Sequence, residues 1–128
     1  MMLPVFAYGT LRDGEPNFER IARPLGATTE FAAVDGYALW DGPGFPYLIE
    51  TGDPVDVVFG DLLTFPPDTY VDALRFLDEL ESVPHHYRRI TLTAHRAHDG
   101  EPLTAWAYLA SDPAWISSRW EPIASGDW

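Results

Sequence analysis

The chain has no cysteine. Disulfides, cysteine-ligated zinc, iron–sulfur clusters and thiol nucleophiles are thereby excluded, and nothing points to secretion. Lysine is missing as well: all eight basic residues are arginine, against twenty acidic ones, for a formal net charge of -12. That field repels a phosphate backbone, and no basic cluster with interleaved aromatics relieves it, so nucleic acid is not an expected partner. No segment approaches the roughly 18 apolar residues of a membrane span, and the N-terminus lacks the basic-then-apolar pattern of a signal peptide. No membrane partner is expected, and the default is a soluble, cytoplasmic protein. The acidity itself reads as a solubility or salt adaptation.

What is present suits a packed core. Hydrophobic residues make up 46% of the chain and aromatics 14%, which argues against disorder despite the charge. The length fits one domain over residues 1–128. Twelve prolines and ten glycines imply many short elements joined by tight turns. Residues 3–7 read as a short apolar strand delivered into the turn Tyr8-Gly9-Thr10-Leu11-Arg12, where backbone N–H groups can face a ligand instead of a neighbouring strand. An ordinary turn after an N-terminal strand fits the same residues. Asn17 is placed to cap a short helix through Phe18, Ile21 and Ala22. Alternation predicts strands over residues 27–31 and 33–40, broken at Asp35-Gly36. Residues 45–50 follow a turn at 41–44, with Pro46 confining them to an edge, and the strongest strand of the first half covers 55–65.

One helix is convincing. It covers Tyr70 to Leu80 or Glu81, is capped by Asp68 or Thr69, and is stopped by Ser82-Val83-Pro84. Beyond it, residues 87–95 alternate, with Arg88, Ile90, Leu92 and Ala94 on one face and Tyr87, Arg89, Thr91 and Thr93 on the other. A turn centred on Asp99-Gly100 returns residues 103–110 as the partner strand, with Trp106 and Tyr108 sharing a face. The expected fold is α+β, a small barrel-like mixed sheet with one main packed helix and short flanking helices.

At about 100° per residue the main helix gathers Tyr70, Leu74, Leu77 and Leu80 into one stripe opposite Asp72, Arg75 and Glu79. Glu81 falls between Leu74 and Leu77, so a carboxylate lies in the apolar stripe. Two readings stand. The side chain either reaches water from a frayed helix end, or is partly desolvated, with a pKa raised toward the range where a general acid or base works best. The negative end of the helix dipole would push it the same way. His85, His86, His95 and His98 have no metal-ligand spacing, and no serine has the surroundings of a nucleophile elbow. Neither a metal nor another cofactor is expected.

Taken in order, Tyr8-Gly9-Thr10-Leu11-Arg12 with Gly14 and Asn17, Phe45-Pro46-Tyr47, Asp78-x-x-Glu81 with Tyr87-x-Arg89, Trp106-x-Tyr108 and Ser125-Gly126-Asp127-Trp128 resemble the gamma-glutamylcyclotransferase-like family, of the gamma-glutamylamine cyclotransferase type. The resemblance implies a small barrel with a cavity lined by the Tyr-Gly-Thr-Leu loop, and a catalytic glutamate at the position of Glu81. It implies a metal-independent transferase or lyase that releases 5-oxoproline from a small gamma-glutamyl amine, dipeptide or isopeptide. By this resemblance Tyr8, Gly9, Thr10, Leu11, Tyr87 and Tyr108 are expected to bind substrate, the tyrosines as walls and hydroxyl donors. Arg89 and Tyr47 are expected to support the site. The chain ends on the family's Gly-Asp-Trp element, so a less enclosed leaving-group side is expected, in a monomer or weak homodimer. A non-catalytic ligand-binding or interaction module of the same fold is the alternative, and an exposed, normally titrating Glu81 would favour it.

Overall fold

The computed structural model describes residues 2–83 and 85–128. Pro84, one of the three residues expected to stop the main helix, lies outside them. Strand β1 (Val5–Ala7) enters a loop and a short π-helical segment (Phe18–Ala22). Next come β2 (Thr28–Asp35), β3 (Tyr37–Asp41), β4 (Pro46–Glu50) and β5 (Val57–Thr64). Helix α1 (Tyr70–Leu80) precedes the hairpin of β6 (Tyr87–Arg96) and β7 (Pro102–Ala110), and a one-turn helix α2 (Pro113–Ser117) follows.

Five strands close into a barrel in the order β1-β5-β2-β6-β7, with β1 antiparallel to β5 and parallel to β7. β3 and β4 form a separate two-stranded ribbon. Pro46 stands at the ribbon's end opposite Asp41, where its missing N–H is cheap, as the edge assignment expected. The strand period of two divides the apolar residues between two cores. Phe6, Val34, Val58, Leu62, Leu92, Ala94 and Ala107 pack together inside the barrel. Val5, Ala7, Leu63, Tyr87, Tyr108 and Ala110 take the other face and meet Tyr70, Ala73 and Leu77 of α1. The outer face is not covered throughout: Phe31 of β2 and Thr91 and Thr93 of β6 are exposed.

Both expected N-caps are in place, but without side-chain cap bonds. Thr69 occupies the N-cap of α1 without a side-chain cap bond, because its hydroxyl donates instead to Leu25 O at 2.6 Å and pins the preceding loop. Asn17 makes no side-chain cap bond either, and the segment after it is π-helical; its amide turns back to donate to Thr10 Oγ1 at 2.8 Å.

Candidate active site

β1 is only three residues long, and beyond Ala7 the chain leaves the sheet. The loop it enters is held by its own backbone: Arg12 N–H donates to Gly9 O at 2.9 Å, and Asn17 N–H donates to Thr10 O at 3.1 Å. Among the described residues, the N–H groups of Gly9, Thr10 and Leu11 have no backbone acceptor. Glycine is required at position 9 by close packing. A methyl group there would lie 2.8 Å from Pro46 Cγ and Cδ, closer than a carbon can approach without displacing the proline. From behind, Arg12 ties the loop to the C-terminal segment through Asp127 at 2.5 Å. That segment lies along β5, where Phe59 N–H donates to Gly126 O at 2.8 Å.

The loop lines a cavity of about 260 Å³, toward the small end of ligand pockets. Tyr8, Gly9, Thr10 and Leu11 contribute to it from β1 onward, Leu80, Glu81 and Ser82 from the end of α1, and Tyr87 and Tyr108 from β6 and β7. Phe45, Pro46, Asn17 and His86 complete the lining. Seven of the nine residues expected at the site are therefore brought together, across a hundred residues of sequence. The other two stand behind the wall. Tyr47 is buried and stacks on Tyr87, ring centroids 5.7 Å apart and planes 24° from parallel. Arg89 bonds to Asp78 Oδ1 at 2.9 Å and lies 4.3 Å over the Trp106 ring.

Glu81 is the C-cap of α1, its N–H still bonded to Leu77 O at 2.9 Å, so the helix delivers its side chain at a fixed height above Leu77. The position is half-buried, and burial pushes the carboxyl up to about 7. Burial is also the first cause that raises the phenols of Tyr8, Tyr87 and Tyr108, and the charge of Glu81 raises each of them further. The three phenols and the carboxyl therefore form one electrostatic group.

The expected role of the tyrosines as hydroxyl donors is corrected by their hydrogen bonds. Tyr8 donates to Tyr108 O at 2.6 Å, Tyr87 to Pro46 O at 3.3 Å, and Tyr108 to Asp78 Oδ1 at 2.7 Å. Each proton is already given within the protein, which leaves the oxygens of Tyr87 and Tyr108 as acceptors, while the Tyr8 oxygen takes a hydrogen bond from the Leu48 backbone. Asp78, Asn17, Phe45, Pro46, Ser82 and His86 were given no site role from sequence. For Asp78 a signal existed: it stands three residues before Glu81, one helical turn away on the same side. Among the described residues, no three His, Asp or Glu side chains come together as a metal-ligand set.

Fold and cavity together define the class: a small α+β barrel whose first strand opens into a glycine loop that shares a cavity with the half-buried carboxyl of Glu81. Residues 5–128 match the family described as "Gamma-glutamyl cyclotransferase, AIG2-like", and the chain belongs to that family. A Vibrio cholerae protein named as a candidate gamma-glutamylcyclotransferase is 35% identical over 126 residues, covering 97% of this chain and 93% of the relative. The gamma-glutamylaminecyclotransferase of Bos taurus is 33% identical over 128 residues, covering 90% of this chain and 71% of its own. The crystal structure of an AIG2-like protein from Mus musculus superimposes with a TM-score of 0.73 at 25% identity, covering 90% of this chain and 82% of that one.

Proposed function

We propose that this protein is an intramolecular cyclotransferase that releases 5-oxoproline from a gamma-glutamyl amine, dipeptide or isopeptide, with Glu81 as general acid and base. One observation carries the reading: a carboxyl raised to about 7 by burial shares a small cavity with a glycine loop whose N–H groups have no backbone acceptor. An exposed, normally titrating Glu81 would favour a non-catalytic module; Glu81 is instead half-buried with its pKa raised. The family and its named relatives supply the substrate class.

The chemistry needs little from the protein beyond orientation and proton transfer. The substrate's α-amine attacks its own γ-carbonyl, a C–N bond forms to close a five-membered lactam, and the C–N bond to the departing amine breaks. Glu81 takes a proton from the α-ammonium, which frees the attacking lone pair, and gives it to the leaving nitrogen as the C–N bond breaks; it then takes the second proton from the new lactam nitrogen and passes it to the departed amine, which leaves as an ammonium, so two protons move in all and the carboxylate is regenerated. N–H groups of Gly9, Thr10 and Leu11 receive the α-carboxylate or the oxyanion that develops on the γ-carbonyl. Burial matters twice: it strengthens these interactions, and it brings the Glu81 pKa near neutrality, where one group both takes and gives a proton efficiently.

The test is 5-oxoproline release from a panel of gamma-glutamyl amines, dipeptides and the ε-lysine isopeptide, with wild type and Glu81→Gln. Gln preserves size and much of the hydrogen bonding but exchanges no proton. The variant is expected to lose on the order of a hundredfold or more in turnover while binding the substrate nearly as well by calorimetry. Equal turnover numbers would remove Glu81 from the mechanism.

A further inference from the structure

Of the three cavity tyrosines, Tyr8 and Tyr87 give their protons to backbone carbonyls, which no substitution removes. Tyr108 gives its proton to a side chain, Asp78, which does not line the cavity. The same Asp78 oxygen also accepts from Arg89 Nε at 2.9 Å, and Arg89 is held in place over Trp106. A phenol has one proton to give and lone pairs with which to accept. Without Asp78 the Tyr108 proton would turn toward the strongest remaining acceptor, and Glu81, whose charge Tyr108 already feels, stands on the cavity side. A donor turned inward would then meet the ligand, and the wall would change polarity.

We propose that Asp78 is a positioning residue for ligand recognition: by holding the Tyr108 proton outside the cavity, it leaves the Tyr108 oxygen as an acceptor for a protonated amine on the ligand. Glu81 and the oxygens of Tyr87 and Tyr108 then offer acceptors to the cavity, and the N–H groups of Gly9 to Leu11 offer donors. That division matches the two ends of a zwitterionic α-amino-acid head, ammonium to the phenols and carboxylate to the loop. Identifying the amine as the α-amine of a gamma-glutamyl group rests on the cyclotransferase reading; the polarity of the wall does not.

The experiment compares calorimetric binding of L-γ-glutamyl-n-butylamine with that of the glutaric mono-n-butylamide, the same molecule without the α-amine. All measurements use the Glu81→Gln background, so that turnover does not consume the ligand. The amine-bearing ligand is expected to bind about tenfold or more tightly, the weight of one hydrogen bond from a charged donor. Adding Asp78→Ala should shrink the ratio to within about threefold. Asp78→Asn, whose amide oxygen can still take the phenol proton, should keep most of it. Tyr108→Phe should lose the ratio as Asp78→Ala does, and the two together should lose no more than either alone. An Asp78→Ala protein that weakens both ligands equally, or a Tyr108→Phe protein that keeps the ratio, would overturn the proposal. The expected ratios in a protein whose wild type releases no 5-oxoproline would sink the cyclotransferase reading alone. Release with ratios unmoved by Asp78→Ala would sink only the role of Asp78.

Discussion

The Glu81 carboxyl is harder to ionise in the folded chain, at about 7, than at its ordinary 4.5, and this links stability to pH in a defined direction. Below 4.5 both states are protonated and the group contributes nothing. Between 4.5 and about 7 the folded state keeps a proton the unfolded state has released, so stability falls as pH rises. Above that range both are ionised and the full cost of a buried charge is present, up to about 3 kcal/mol at 1.36 kcal/mol per pH unit. Glu81→Gln cannot ionise. It should match wild type at pH 4 in urea denaturation and exceed it by up to about 3 kcal/mol at pH 8. A difference that does not change with pH would mean the carboxyl titrates as an exposed one does. The same ionisation should appear in kcat/KM, which is expected to rise with pH through an apparent value near 7, because the free enzyme needs the base deprotonated.

Helix α1 places Asp78 and Glu81 by the way it ends. Val83 N–H reaches back to Asp78 O and Ser82 N–H to Glu79 O, both at 3.1 Å, the paired bonds of a Schellman turn. That turn needs a left-handed residue just past the cap, normally glycine, yet Ser82 holds it with φ 52°. A side chain there costs about 1–2 kcal/mol, and strain of this kind persists where the surroundings fix the geometry. Ser82→Gly is therefore expected to raise stability by up to about 1 kcal/mol, net of the extra freedom glycine has when unfolded, and Ser82→Val to lower it by more. Urea midpoints decide: a destabilised glycine variant would show that the serine side chain, which lines the cavity, stabilises the fold by more than the strain it imposes.

At the scale of the whole molecule, barrel closure makes the site. β1 joins β5 and β7, and that pairing brings the loop after residue 7 beside Tyr108, while α1 on the outer face sets Glu81 between them. In the proposed mechanism, ring closure within one substrate molecule needs orientation and a proton shuttle, and no step calls for a metal. Turnover should survive exhaustive dialysis against EDTA. Loss of 5-oxoproline release that zinc or magnesium restores would require a Lewis acid in the mechanism.

Much of this could be read directly from residues 1–128. The period of two in residues 87–95, the period near 3.6 in residues 70–80 and the Gly and Pro punctuation are local consequences of backbone geometry, and the elements followed them within a few residues. The same wheel put Glu81 in the apolar stripe, because a helix imposes its facing on every residue it includes. It could not separate a carboxyl that escapes to water from one held in a cavity, since burial depends on what the barrel brings opposite. The polarity of the tyrosines shows the limit most sharply. Tyr8, Tyr87 and Tyr108 are alike as residues, each with a proton to give, and only their acceptors, Tyr108 O, Pro46 O and Asp78, fix where those protons go. Those acceptors lie 100, 41 and 30 residues away along the chain, so no local pattern encodes them; closure of the barrel brings Tyr8 to Tyr108 O, and the seating of the β3-β4 ribbon and of α1 brings Pro46 O and Asp78 within hydrogen-bond distance.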